Sequence, residues 1–181
     1  MRIVAGRWRG RSLVAPPGTA TRPTSDRARQ AIFDRLAHAP WAAGVLDGAV
    51  VLDAFAGTGA MGLEALSRGA ARAWFVETDV AARRALAANI AACRAETATL
   101  LAADATHPPR GAPCTLVFLD PPYGRGLVGL ALPALRGAGW VAPGALLVVE
   151  TATDEAPEIG IPLATATFGA AKVEFYREPE A

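Results

Sequence analysis

Four consecutive residues, Asp120-Pro121-Pro122-Tyr123, carry the densest chemistry in the chain. They follow the apolar run Leu116 to Leu119, which reads as a strand delivering them to its end. Two prolines have fixed φ and no N–H, and Asp120, preceding a proline, is pushed toward an extended conformation. The turn therefore offers acceptors and almost no donors: the Asp120 carboxylate and the carbonyls of Asp120, Pro121 and Pro122. Such a surface suits a partner arriving with N–H groups, for instance the exocyclic amine of a nucleobase. Tyr123 adds a flat face on which a ring can stack. The same residues also fit a plain strand stop, with Tyr123 packed on its neighbours.

A second constellation lies nearer the start. The buried strand Val50 to Asp53 runs into Ala54-Phe55-Ala56-Gly57-Thr58-Gly59-Ala60-Met61-Gly62. A glycine-rich turn between strand and helix brings a ligand close to backbone, beside a helix N-terminus. Glu77 follows about 20 residues on, where an acid meets ribose hydroxyls. This pattern admits NAD and S-adenosylmethionine alike. Asp53 stands before the turn, where it would repel a pyrophosphate and suit a cationic ligand.

Positioning both sets requires an alternation of strands and helices. Strands are expected at 50–53, 74–77, 99–102, 115–119 and 145–149, with a closing antiparallel pair at 161–167 and 172–176. Helices are expected from the glycine turn to about Arg68, from a cap at Asp79 through Ile90, and over 127–135. This order predicts an α/β fold, a mostly parallel sheet covered on both faces. An earlier helix starts near Thr24 or Ser25, with Ala28, Ile32, Phe33 and Leu36 on its buried face. Arg27 and Arg29 fall outside that stripe and are expected to face a ligand.

Composition narrows the partner. Of 181 residues, 52% are hydrophobic and 19% charged, which argues against disorder. The net charge of +1 conceals an asymmetry. Residues 1–40 hold eight arginines against Asp26 and Asp34, a net +6, while residues 41–181 hold ten basic and fifteen acidic residues, a net −5. A basic arm on an acidic body points to a polyanion met by the arm. Ile3–Gly6 and Arg11–Val14 read as a small hairpin whose tip combines Arg7, Arg9 and Arg11 with Trp8, phosphate-pairing charge beside a stacking ring. Cys93 and Cys114 read as buried hydrophobes in a reducing compartment, and no spacing suggests a metal site. The start is too short and charged for a signal peptide, so a cytoplasmic location without a membrane is expected.

Asp53-x-Phe55-x-Gly57-x-Gly59 together with Asp120-Pro121-Pro122-Tyr123 resembles class I S-adenosylmethionine-dependent methyltransferases acting on exocyclic amines. Over nearly its whole length the chain is similar to the RsmD family, which methylates guanine N2 in bacterial 16S rRNA. The specific part is the opening, Arg2-Ile3-Val4-Ala5-Gly6-Arg7-Trp8-Arg9-Gly10-Arg11 and Arg22-Pro23-Thr24-Ser25-Asp26-Arg27. Phe55 departs from the glycine of many class I enzymes, and Ala5 from a glycine usual in this family. The resemblance implies a Rossmann-like, seven-stranded methyltransferase domain over 41–181 and an RNA-binding arm and helix over 1–40. It implies S-adenosylmethionine as cofactor, held by Asp53, Phe55, Gly57, Gly59, Glu77, Asp104 and Ala105. Asp120, Pro121, Pro122 and Tyr123 take the catalytic role, and Arg7, Trp8, Arg9, Arg11, Arg22, Arg27 and Arg29 contact RNA. The substrate is 16S rRNA, within a small-subunit particle, met by a monomer. An adenine-N6 methyltransferase shares the same pocket logic, and a nicotinamide oxidoreductase would share the glycine turn and Glu77.

Overall fold

The computed structural model describes residues 1–16 and 25–180. Arg22, placed by sequence among the RNA contacts, and Thr24, a candidate cap, lie outside the described residues. Ser25 caps α1 (Asp26–His38), its side chain accepting from the Ala28 N–H. Then come β1 (Val50–Asp53), α2 (Ala60–Ser67), β2 (Arg72–Val76), α3 (Val80–Cys93) and β3 (Ala98–Leu101). The second half holds β4 (Cys114–Leu119), α4 (Leu127–Gly137), β5 (Val141–Ala152), β6 (Ala164–Phe168) and β7 (Ala171–Arg177). Asp79 caps α3 as expected, accepting from the Ala82 N–H.

One seven-stranded sheet runs in the order β3-β2-β1-β4-β5-β7-β6. Strands β1 to β5 pair in parallel, and β7 pairs antiparallel with both β5 and β6. The chain order reverses between β1 and β4. Ligands of open α/β sheets bind outside the carboxyl ends of the strands at such a switch point. The Gly57–Gly59 turn leaves β1 there, and Asp120 leaves β4 beside it.

Strand alternation divides the core. Val51, Phe118, Leu146 and Val148 join α1, α2 and α3 on one face. Leu52, Val117, Leu119 and Leu147 join α4 and Trp140 on the other. Ile3 and Leu13 of the arm belong to the first cluster, with Ile32, Phe33 and Leu36 of α1. A boundary at residue 40 is therefore a change of charge and not of packing. The arm is a short antiparallel ribbon, Ile3 N–H bonding Arg11 C=O, Gly10 N–H bonding Ile3 C=O and Leu13 N–H bonding Met1 C=O.

Two buried acceptors fasten the arm to α2. Glu64 is fully buried and takes the Val4 and Ala5 N–H groups at 2.7 and 2.9 Å. Ser67 accepts from Trp8 N–H and donates to the Ala5 carbonyl. Arg29 is also fully buried, donating to Asp26 Oδ1 at 2.8 Å and to the Arg2 carbonyl, with its Nε 3.6 Å from Glu64. This corrects the expectation that Arg29 contacts RNA. The buried face of α1 is one residue wider than the expected Ala28, Ile32, Phe33 and Leu36, and that residue is the charged Arg29. The buried charge of Arg29 is answered by Glu64, 35 residues away in sequence.

Candidate active site

The turn after β1 is built from glycines with different reasons. Gly57 has φ +53°, and a Cβ there would meet nothing within 4 Å, so backbone is presented to open space. Gly59 has φ +77°, and a Cβ would lie 2.3 Å from Leu86. A Cβ on Gly62 would lie 2.3 Å from the Phe75 ring, so close packing of α2 on β2 demands glycine. Gly59, the residue before α2, offers no side-chain cap, and Asp53 supplies it: Oδ2 accepts from Gly62 N–H at 3.0 Å. Burial pushes the Asp53 carboxyl up to about 7, the Glu77 charge adding to the rise against the Gly62 hydrogen bond.

Glu77 continues β2 and spans two elements. Its Oε2 accepts from Gly57 N–H and its Oε1 from Asp79 N–H, both at 2.8 Å. It thus fixes the glycine turn against the start of α3. Phe55 is half-buried against the second core cluster. Asp104 follows β3 as an exposed turn acid, its Oδ1 accepting from Thr106 N–H and Oγ1. Those two bonds hold its carboxyl below the usual carboxylate range, with smaller help from His107. Ala105 is buried in the second cluster.

The acceptor turn leaves β4 next door. Asp120 is half-buried, Pro121 buried, and Pro122 and Tyr123 exposed. The Tyr123 hydroxyl donates to Glu150 Oε1 at 2.7 Å. Burial and the Glu150 carboxylate both push the Tyr123 phenol above its ordinary range, so it acts as a donor. Glu150 is buried, and β5 pairs Val149 with Leu119, which puts Glu150 level with Asp120. A small cavity under the turn is lined by Ile32, Met61, Phe118, Asp120, Val148 and Glu150.

Sequence reading missed Glu150, Glu64, Ser67 and Asn89. Asn89 is buried, accepts from Val14 N–H, and donates to the carbonyls of Val14 and Thr58. It therefore joins the arm to the glycine turn. A lone amide or acid inside an otherwise apolar helix or strand was the available signal, since such groups are buried only with partners. Of the expected RNA contacts, Arg7, Arg9, Arg11 and Arg27 are exposed. Trp8 is half-buried against the core, with the Arg7 guanidinium 4.2 Å from its ring centre, so it anchors the hairpin tip while part of its face remains outside.

The family model described as Conserved hypothetical protein 95 matches residues 1–177. Ribosomal RNA small subunit methyltransferase D of Escherichia coli (strain K12) is 42% identical over 153 residues, 83% of this chain and 74% of that protein. This chain belongs to the RsmD family. The protein of the same description from Haemophilus influenzae is 35% identical over 161 residues, 86% of this chain and 80% of the relative. The solved Escherichia coli yhhF structure superposes with TM-score 0.86 at 34% identity, covering 100% of this chain and 99% of that one. A T. thermophilus 16S rRNA N2 methyltransferase, solved with AdoMet and guanosine, shares the fold at TM-score 0.67 and 22% identity, over 90% of this chain and 44% of its own. The RsmD assignment fixes the class I methyltransferase fold that the sequence led one to expect, and no helix among the described residues is long and apolar enough to cross a membrane.

Proposed function

We propose that this chain transfers a methyl group from S-adenosylmethionine to the exocyclic N2 amine of a guanine in 16S rRNA. The observation that carries this reading is the adjacency of two turns at one switch point. The glycine turn after β1 and the Asp120–Tyr123 turn after β4 leave neighbouring parallel strands at the same edge. Membership of a family whose curated members are named rRNA small subunit methyltransferases supports the substrate class.

The residues present fit the methyl donor. Gly57 opens onto free space, Glu77 and Asp104 bring acids to the ends of β2 and β3, and Asp53 underlies the turn. When bound, S-adenosylmethionine supplies an electrophilic methyl on a sulfonium. Glu77 accepts from ribose hydroxyls, since a carboxylate has about four acceptor sites. Asp104 lies on the adenine side with Ala105 beneath it, and Phe55 borders the donor.

The remaining chemistry belongs to the acceptor turn. An aromatic amine is a weak nucleophile because its lone pair is delocalised into the ring. Asp120 and the Pro121 carbonyl hold its two N–H groups and turn the lone pair toward the methyl. The rate gain comes from positioning and from acceptors placed where the ammonium develops. Asp120 stabilises that charge, and the proton then leaves to water. The base must leave its stack to reach this pocket, and Tyr123 stacks on it. Arg7, Arg9, Arg11 and Arg27, with Trp8, bind the phosphate backbone in a sequence-independent way. The protein acts in the cytoplasm, as a monomer, on a small-subunit particle.

The test is methylation of small subunits from a strain lacking this protein, read by mass spectrometry of nucleosides. N2-methylguanosine is expected; N6-methyladenosine instead, or calorimetric binding of NADH without binding of the methyl donor, would overturn the proposal. Asp120→Ala should cut turnover by about 100-fold or more while retaining S-adenosylhomocysteine affinity, as for the loss of a preorganised acceptor.

A further inference from the structure

The geometry points to Glu150 as the residue that selects guanine, by accepting the ring N1–H while Asp120 accepts the exocyclic amine. This rests on the guanine-N2 reading above. Guanine and adenine both offer an exocyclic amine, so the Asp120 turn alone does not separate them. They differ at the neighbouring ring nitrogen, where guanine carries a hydrogen and adenine a lone pair. A second acceptor beside the first would welcome guanine and repel adenine, whose lone pair would face a carboxylate.

Glu150 meets the requirements for that second acceptor. The pairing of Leu119 with Val149 sets it level with Asp120 on the adjacent strand. Alternation puts its side chain on the face of Val148, as Asp120 lies on the face of Phe118, and all four line one cavity. It is only 8% exposed, so water competes weakly for it. Tyr123, which stacks on the same base in this reading, donates to Glu150 Oε1 at 2.7 Å, which fixes the carboxylate's orientation. One such bond does not exhaust a carboxylate, which has about four acceptor sites. The stacking ring and the acceptor are thus one rigid unit, and a buried acceptor left facing another lone pair carries a large penalty.

The experiment uses the full-length protein and small subunits reconstituted with 16S RNA. The guanine mapped by mass spectrometry is either retained or replaced by 2-aminopurine, which keeps the N2 amine and lacks the N1–H. Wild type should methylate guanine on the order of 100-fold faster than 2-aminopurine, as expected of a site built to hydrogen-bond its substrate. Glu150→Gln places an amide N–H where an acceptor stood and should bring that ratio below about 10-fold, with S-adenosylhomocysteine binding unchanged. Tyr123→Phe removes the phenol bond that orients the carboxylate but keeps the acceptor, so the ratio should fall less than in E150Q. If E150Q loses S-adenosylhomocysteine binding, the ratio is read on Glu150→Asp, whose carboxylate is withdrawn by one methylene; it should fall there too. A wild-type ratio near one, or a wild-type ratio kept by a folded Glu150 variant, overturns the role of Glu150. Methylation of an adenine by wild type would instead overturn the reading beneath it, so the two failures are distinct.

Discussion

Replacing Glu64 by alanine tests how the arm is held. The carboxylate is fully buried and takes Val4 N–H, Ala5 N–H and Arg68 Nε at 2.7, 2.9 and 2.8 Å, with Arg29 Nε at 3.6 Å. Removing it takes one of two carboxylates from the buried Arg29 guanidinium, which keeps Asp26, and strands two backbone donors. Breaking one side of a buried ion pair costs about 3–5 kcal/mol, and the two backbone donors fall within that cost once the loosened arm admits water. For a chain of this size each kcal/mol moves Tm by about 2–4 °C, so E64A should melt about 6–20 °C below wild type. The control is Arg136→Ala, which breaks the Glu178 pair on a partly exposed surface at 2.6 Å and should cost about 1 kcal/mol or less. Urea denaturation of the three proteins decides. A loss for E64A no greater than for R136A would refute the view that this carboxylate clamps the arm to α2.

Other variants probe the turns and the charge. Gly57→Ala should weaken S-adenosylhomocysteine binding in calorimetry with a stability loss of only about 1–2 kcal/mol from its left-handed backbone, whereas Gly59→Ala, driven into Leu86, should lower Tm far more. The folded Asp53 carboxyl titrates near 7 against an ordinary 3.8. Its stabilising contribution is therefore full below about pH 4 and is lost as pH rises to 7. Asp53→Asn should flatten that decline in urea midpoints measured from pH 4 to 8, and equal slopes in both proteins would refute it. Arg9→Gln should leave Tm unchanged and reduce the slope of log RNA affinity against log salt by about 0.7–0.9.

The fold was readable because its signals were local. Apolar runs at 50–53 and 115–119, glycines after the first and prolines after the second, put both turns at one sheet edge before any contact was known. Asp79 announced α3 as a cap three residues ahead of its donor. The arm was legible as charge but not as packing. Ile3 and Leu13 look like ordinary strand residues, and only their place in the first core cluster shows that cutting residues 1–14 away would open the core. Arg29 failed in part for the same reason: Asp26 is a local partner, but Glu64, which accompanies it in the core, is distant in sequence, and a periodicity argument sees hydrophobes and not the charges that join them. Glu150 ends the apolar run of β5 as Asp120 ends that of β4, yet without the register between the strands nothing tied the two acids together.

The clamp on the arm also sets an order of events during synthesis. Val4 bonds to Glu64, 60 residues downstream, and Val14 to Asn89, 75 residues downstream. During synthesis the arm cannot complete its contacts until α3 has emerged behind it. Until then Ile3, Trp8 and Leu13 remain uncovered beside a run of arginines, on a nascent chain next to ribosomal RNA. Contacts of such long sequence separation form late because loop closure precedes their reward. Docking of the arm is accordingly a late step of folding, and loosening Glu64 should speed unfolding more than it slows folding.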